Sequence, residues 1–302
     1  MNKISNVFLK IFSDFWDKFK THKPKYASTY FDRIIEKTSK CSDPQEGFVR
    51  YRCTHCGQDE RVVGFTCKHS FCLRCGSIKA MKFVEEIKAK LYPEVDYRHL
   101  TLTLHEVFWK VFYKHHWSSE IFDRLYQAAW DCIQDVFQTY THNMKIEVGA
   151  IMVIHVTGRD SAYNVHLHIL LPMGCIEMIS GKWIDIPRVP YNLLHMRWQK
   201  YLLEMLEDFD KSDWMKETIA SIKEKYKKGF VANLDERILP KGGGKLAKYL
   251  AKYLFSPSIS VKRIIKYDEK NEIVEYVYQD HQTHKLETAR VSVMDFIGRM
   301  VQ

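Results

Sequence analysis

Val165-His166-Leu167-His168-Ile169-Leu170-Leu171 decides how this chain is read. Strand side chains alternate between faces, so His166 and His168 share one face while Leu167, Ile169 and Leu171 share the other. The predicted strand runs from Tyr163 to Pro172. A second, Ile146 to Thr157, precedes it across a short loop with Gly158, Asp160 and Ser161, which suits an antiparallel hairpin. Such a hairpin brings His155 near the pair, as a third metal ligand or as a residue that orients one. Asn164 is a candidate partner for a ligand or a turn former. Two imidazoles on one face of a rigid strand can hold a divalent ion and leave it open positions. Taken alone, the same pattern fits ordinary sheet-surface histidines equally well.

Working outward, His99-Leu100-Thr101-Leu102-Thr103-Leu104-His105 also alternates, with Thr101 and Thr103 opposite a leucine face. Helical patterns follow at Val107 to His115 and Ser119 to Asn143, and later at Tyr191 to Asp208 and Trp214 to Lys228. A short strand, Phe230 to Asp235, comes next, then a helix from Gly242-Gly243-Gly244 to about Phe255. Strands fill Val261 to Arg290, and a last helix starts at Val293. Antiparallel strands with intervening helices predict an α+β fold. Ahead of that core, Met1 to Lys20 alternates Phe and Trp with Lys and Asp, as an amphipathic helix does. The expected division is a helical segment over 1–40, a small metal-organised module over 41–95 and the α+β domain over 96–302.

The chain has 302 residues, 46% hydrophobic and 14% aromatic, enough for a real core and an accessory module. No run of about 18 apolar residues is present, so no membrane partner is expected. Nor is there an uninterrupted apolar stretch of the kind a signal peptide needs. The net charge of +9 favours a polyanionic partner such as nucleic acid.

Five of the eight cysteines crowd into 53–75. With no secretion signal, this points to metal rather than disulfides. Cys53-x2-Cys56 and Cys72-x2-Cys75 have the spacing of a four-cysteine zinc knuckle, in which each pair aims two sulfurs at one ion. Cys41, Cys67 and His69 are further candidate ligands, enough for a second site. The neighbouring Arg50, Arg52, Arg61, Lys68, Arg74 and Lys79 would hold DNA phosphates.

Lys248-Tyr249-Leu250-Ala251-Lys252-Tyr253 stacks two tyrosines and two lysines at helical spacing. Alone, it fits a helix packing its rings on a core. Beside the His-x-His strand, the cysteine pairs and the positive charge, it reads as a nucleophile element. A phenol with pKa near 10 is a weak nucleophile at neutral pH. An ion on His166 and His168 would polarise a scissile phosphate, and Lys248 or Lys252 would favour the phenolate. Attack gives a 5′-phosphotyrosine and a free 3′-hydroxyl, and a second tyrosine one turn away permits a second transfer.

These residues resemble the two-tyrosine HUH transposases of rolling-circle insertion sequences. The resemblance runs through "CSDPQEGFVRYRCTHCG", "GFTCKHSFCLRCG", "YRHLTLTLHE", "GAIMVIHVTGRDSAYNVHLHILLPMG", "KYLAKYLFSPSIS" and "YQDHQTHKLETARVSVMDFIGRM". It implies an HUH endonuclease core, an antiparallel ferredoxin-like sheet with the tyrosine helix beside it, behind a transposase zinc-binding domain with structural Zn²⁺. It also implies that His166 and His168 bind a catalytic Mg²⁺ or Mn²⁺ and that Tyr249 and Tyr253 are the nucleophiles, Tyr253 first if one suffices. The implied partner is single-stranded DNA at transposon ends and target, in the bacterial cytoplasm at the nucleoid. A replication initiator or relaxase-like nickase would use the same chemistry, whereas a non-catalytic zinc-dependent DNA-binding protein would use the histidines and tyrosines for packing. "CKHSFC" departs from the family's usual basic residue and leaves the role of His69 open. The chain also lacks the double proline common after the tyrosines, and it ends where relatives usually continue with a basic, aromatic segment, which fits either a truncated C-terminal part or a decayed element.

Overall fold

The computed structural model describes residues 7–92, 94–239, 259–280, 283 and 285–301. In chain order, helices α1 (Val7–His22) and α2 (Thr29–Ser39) lead to strands β1 (Phe48–Arg52) and β2 (Glu60–Gly64) and helix α3 (Leu73–Lys90). Strand β3 (Tyr97–Thr103) is followed by helices α4 (Trp109–Lys114) and α5 (Glu120–Thr141). Strands β4 (Ile146–Glu147), β5 (Ile151–Thr157), β6 (Tyr163–Pro172), β7 (Gly174–Glu177) and β8 (Trp183–Asp185) come next. Helices α6 (Tyr191–Phe209) and α7 (Asp213–Lys225) precede strand β9 (Ala232–Leu234). Strands β10 (Ile264–Asp268), β11 (Ile273–Gln279) and β12 (Leu286–Ser292) and helix α8 (Val293–Met300) follow. The fold is α+β with antiparallel pairing, as the sequence predicts.

The chain divides into two compact units that are not contiguous in sequence. One comprises Met1–Ile87, Thr157–Ala162 and Phe255–Gln302, and the other Lys88–Val156 and Tyr163–Leu254. This differs from the linear division at 40 and 95. The reason is apolar: Phe8, Ile11, Phe12, Phe15, Trp16 and Phe19 recur at helical spacing on α1 and bury their stripe with Val274 and Tyr276 of β11 and Phe296 and Ile297 of α8. β10, β11 and β12 therefore pack in the N-terminal unit instead of extending the histidine-bearing sheet.

In the second unit the sheet order is β5-β6-β3-β9, with β6 and β9 both antiparallel to β3. Leu100, Leu102, Val165, Leu167 and Ile169 are fully buried with Phe112, Leu125, Ile133, Trp198 and Leu202 from the helices. Each such side chain contributes about 1.5–3 kcal/mol relative to leaving it exposed. The opposite face is polar, and it carries the histidines. One predicted strand is in fact two: Ile146–Glu147 pairs with β7 in a separate small sheet, and β5 starts only at Ile151. Between them the Gln134 side chain bonds both the Ile146 carbonyl and the Val148 amide, taking over contacts a continuous ladder would make.

Candidate functional site

The histidine face is set by strand register. Thr101 lies opposite His168 and Thr103 opposite His166, while Leu100 and Leu102 lie opposite Ile169 and Leu167 on the buried side. β5, on the far side of β6, adds His155. The His155 ring centroid is 4.5 Å from that of His168 and 5.5 Å from that of His166, and the latter two are 4.9 Å apart. One ring nitrogen from each of the three lies within 4.8 Å of the others.

Hydrogen bonds at the rear of the rings orient this group. His166 Nδ1 is 2.9 Å from the Asn164 carbonyl, and His168 Nδ1 is 2.8 Å from His99 Nε2. A carbonyl partner at Nδ1 leaves His166 its Nε2 for the cluster. Burial pushes the His166 pKa down to about 4, and burial likewise lowers that of His99 to about 4. His166 is thus neutral at neutral pH, the form in which an imidazole ligates. Imidazoles converging from rigid strands, with no carboxylate in the group among the described residues, fit a divalent ion that retains open positions. Tyr249, Tyr253, Lys248 and Lys252 lie outside the described residues.

Asn164 bonds the candidate ligand His166 through its backbone carbonyl. His99 had no role assigned from sequence. Its signal was present nonetheless, since His99 alternates with Thr101 and Thr103 on the same face.

The cysteines group differently from the predicted pairing. Cys72 and Cys75 join Cys41 and Cys67, and Cys53 and Cys56 are not in the group. The cause is the β1–β2 hairpin. Cys53 and Cys56 sit in its tip, whereas Cys41 and Cys67 flank its open end, where Phe48 pairs with Gly64. Strands of five residues separate tip from base by about 16 Å, too far for one ion. The base is closed by Ser42 N–H to the Phe65 carbonyl at 2.8 Å and Phe65 N–H to the Gly47 carbonyl at 2.9 Å. Gly64 permits this approach, because a β-carbon there would lie 2.5 Å from the Ser42 carbonyl oxygen. Ser42 and Lys68, each following a grouped cysteine, both have positive φ, which turns the chain back around the sulfurs.

Three sulfur pairs, Cys41–Cys75, Cys67–Cys75 and Cys41–Cys72, are each 3.6 Å apart. A tetrahedron with Zn–S bonds of ~2.3 Å has edges of about 3.8 Å, so the four thiols fit structural zinc. Burial raises the Cys41 thiol, but the Cys67 amide, the Ser42 hydroxyl and the neighbouring thiols outweigh it and hold its pKa at about 7. Burial pushes Cys72 up. His69 is not in the group; its Nδ1 accepts from the Phe71 amide at 3.1 Å. α3 begins at Leu73, ahead of the predicted Ser77, so Cys72 and Cys75 bracket its start.

Of the basic residues, Arg50, Arg52 and Arg61 lie on the exposed hairpin, where Arg52 is 2.9 Å from Glu60 through Nε. Arg74 donates to Ser42 at 2.6 Å and Lys79 to Ser70 at 3.1 Å, so both brace the loops that carry ligand cysteines. Lys68 lies in one of the positive-φ turns.

Residues 149–302, a little over half of the chain, match the Y2 transposase family, described as "Putative transposase". The chain belongs to the Y2 transposase family. Residues 11–104 match a second description, "Transposase zinc-binding domain", in agreement with the four-thiol cluster. This family member is 23% identical over 284 residues to the "Transposase for insertion sequence element IS801" of Pseudomonas savastanoi pv. phaseolicola, covering 89% of this chain and 65% of the relative. It is 25% identical over 183 residues to "Putative transposase y4qJ" of Sinorhizobium fredii (strain NBRC 101917 / NGR234), covering 60% of this chain and 45% of that protein. The chain thus spans less than two thirds of the length of either relative. No solved structure matches it. Among the described residues, no helix is long and apolar enough to cross a membrane.

Proposed function

We propose that the chain nicks and rejoins single-stranded DNA as a transposase, with Tyr249 or Tyr253 as nucleophile and His155, His166 and His168 holding a Mg²⁺ or Mn²⁺. The carrying observation is the convergence of three imidazoles on the polar face of a rigid sheet, in a chain of the Y2 transposase family. When bound, the divalent ion supplies positive charge that stabilises the charge developing on the scissile phosphate.

The protein's own residues do the rest. A tyrosine loses its phenolic proton, aided by Lys248 or Lys252, and its oxygen bonds to phosphorus. The bond from phosphorus to the 3′-oxygen breaks, and that oxygen takes up a proton. The 5′-phosphotyrosine keeps the phosphodiester energy, so a 3′-hydroxyl can reverse the step without ATP. Arg50, Arg52 and Arg61 on the exposed hairpin, with Lys68, Arg74 and Lys79, are the proposed phosphate contacts of the zinc module. The neutral state of His166 at neutral pH supports metal binding over a charged, DNA-facing role for that ring.

The test uses labelled single-stranded oligonucleotides with and without Mn²⁺, read as a denaturant-stable protein–DNA adduct. The expected result is an adduct that requires Mn²⁺ and disappears in Tyr249→Phe/Tyr253→Phe. An adduct that persists in the double variant overturns the nucleophile assignment. DNA binding with no adduct under any condition favours a non-catalytic zinc-dependent DNA-binding protein.

A further inference from the structure

His166 and His168 face the same cluster, but their tautomers are fixed by different kinds of partner. Behind His166 stands a backbone carbonyl, that of Asn164, at 2.9 Å from Nδ1. A carbonyl only accepts, so His166 carries its proton on Nδ1 and presents a bare Nε2. Behind His168 stands another imidazole: His99 Nε2 lies 2.8 Å from His168 Nδ1, with ring centroids 4.8 Å apart. The Thr101 hydroxyl is also near, but at 3.5 Å it is at the limit of a hydrogen bond. Of two imidazole nitrogens so arranged, one donates and the other accepts. If His99 donates, the proton of His168 sits on Nε2 and blocks the lone pair a metal needs. If His99 accepts, His168 Nε2 carries no proton and can ligate.

We infer that His99 is a positioning residue of the histidine face: it accepts from His168 Nδ1–H and thereby holds His168 with a bare Nε2 toward the metal position. The inference rests on the reading that His155, His166 and His168 hold a divalent ion.

The direction follows from the metal reading, since a ligating His168 Nε2 requires the proton on Nδ1, and the position of His99 is fixed by the fold. His99 is only 8% exposed, and it lies on the central strand β3, two residues along the same face from Thr101, which pairs with His168. Its place is therefore fixed by ladder bonds on both sides of β3. Just past β9, the Asp235 amide donates to the His99 carbonyl at 2.8 Å and continues the ladder on that side. Metal-ligating histidines are generally oriented by a partner on the other ring nitrogen, and losing that partner costs roughly 10–100-fold in affinity.

The test is made on the full chain with its zinc retained. In metal-free wild type at the histidine face, ¹⁵N-resolved imidazole spectra are expected to show His168 as the Nδ1–H tautomer. A dominant Nε2–H tautomer overturns the inference without any variant. Mn²⁺ titration is then compared among wild type, His99→Leu and His99→Gln, with thermal melting as the check on folding. The leucine variant is expected to bind Mn²⁺ roughly 10–100-fold more weakly, and glutamine, whose side-chain oxygen can accept, to recover most of that loss. Wild-type affinity in His99→Leu overturns the inference. A wild type that binds no Mn²⁺ while His168 carries Nδ1–H sinks the metal reading and leaves the tautomer assignment standing.

Discussion

The four-cysteine cluster and the three-histidine face are built in opposite ways. The thiols sit on turns, at the base of a hairpin and at the start of a helix, and they surround their centre. The imidazoles sit on ladder-paired strands, and their ligating atoms approach from one side of a sheet. A ring of ligands drawn from turns and a helix start, braced by a handful of hydrogen bonds, depends largely on its ion, so metal binding and folding are closely coupled there. A face on a sheet whose other side buries Leu100, Leu102 and Leu167 is held whether or not an ion is bound. A closed site stabilises; an open one can react.

The largest expected effect breaks this comparison most sharply. Structural zinc contributes on the order of 10–16 kcal/mol in small zinc modules. Strong chelation, or Cys72→Ser, should therefore release zinc and unfold the cysteine module, seen by metal analysis and near-ultraviolet circular dichroism. His166→Ala should leave the melting profile of its sheet nearly unchanged. Within the module, Cys41→Ser should match Cys72→Ser, whereas Cys53→Ser should keep its zinc. Equal loss from Cys53→Ser and Cys41→Ser would return the predicted pairing to favour.

Acid gives the next effect. His99 and His166 have folded pKa values lowered from 6.5 to about 4. A histidine kept neutral in the folded state charges more readily when unfolded, so its folded state is at no disadvantage above about pH 6.5. Stability is then lost as pH falls from there toward 4. Thermal melts of the chain with a metal-free histidine face should decline across that window, and a decline confined below pH 4 would contradict the burial of these rings.

A smaller effect is expected at Gly64, where a methyl would lie 2.5 Å from the Ser42 carbonyl oxygen. Gly64→Ala should destabilise the zinc module by about 1–3 kcal/mol, read as zinc release at lower chelator concentration. The smallest is expected from Thr101→Val. The hydroxyl stands 3.5 Å from His168 Nδ1, so its removal should change Mn²⁺ affinity by less than His99→Leu does.

Period-two alternation made the sheet legible. Residues 163–172 form the predicted strand end to end, and the polar and apolar faces of β3 and β6 fall where Thr101, His166 and His168 predict. Local spacing made Cys72-x2-Cys75 legible as well. What sequence could not supply was closure at a distance. Cys41 and Cys67 are far apart in the chain and become neighbours only because β1 and β2 fold back on each other. The same blindness applied to α1, whose apolar stripe finds its cover in strands and a helix from the other end of the chain. His99 belongs to no His-x-His motif, and its only mark in the sequence is the face it shares with Thr101 and Thr103.

The most direct measurement is Mn²⁺ binding by electron paramagnetic resonance on the zinc-loaded chain. The account predicts one tightly bound Mn²⁺ per chain in wild type and in Tyr249→Phe/Tyr253→Phe. It predicts that the bound ion is lost in His155→Ala/His166→Ala/His168→Ala while the zinc content stays the same. Undiminished Mn²⁺ binding in the triple-alanine variant would contradict it.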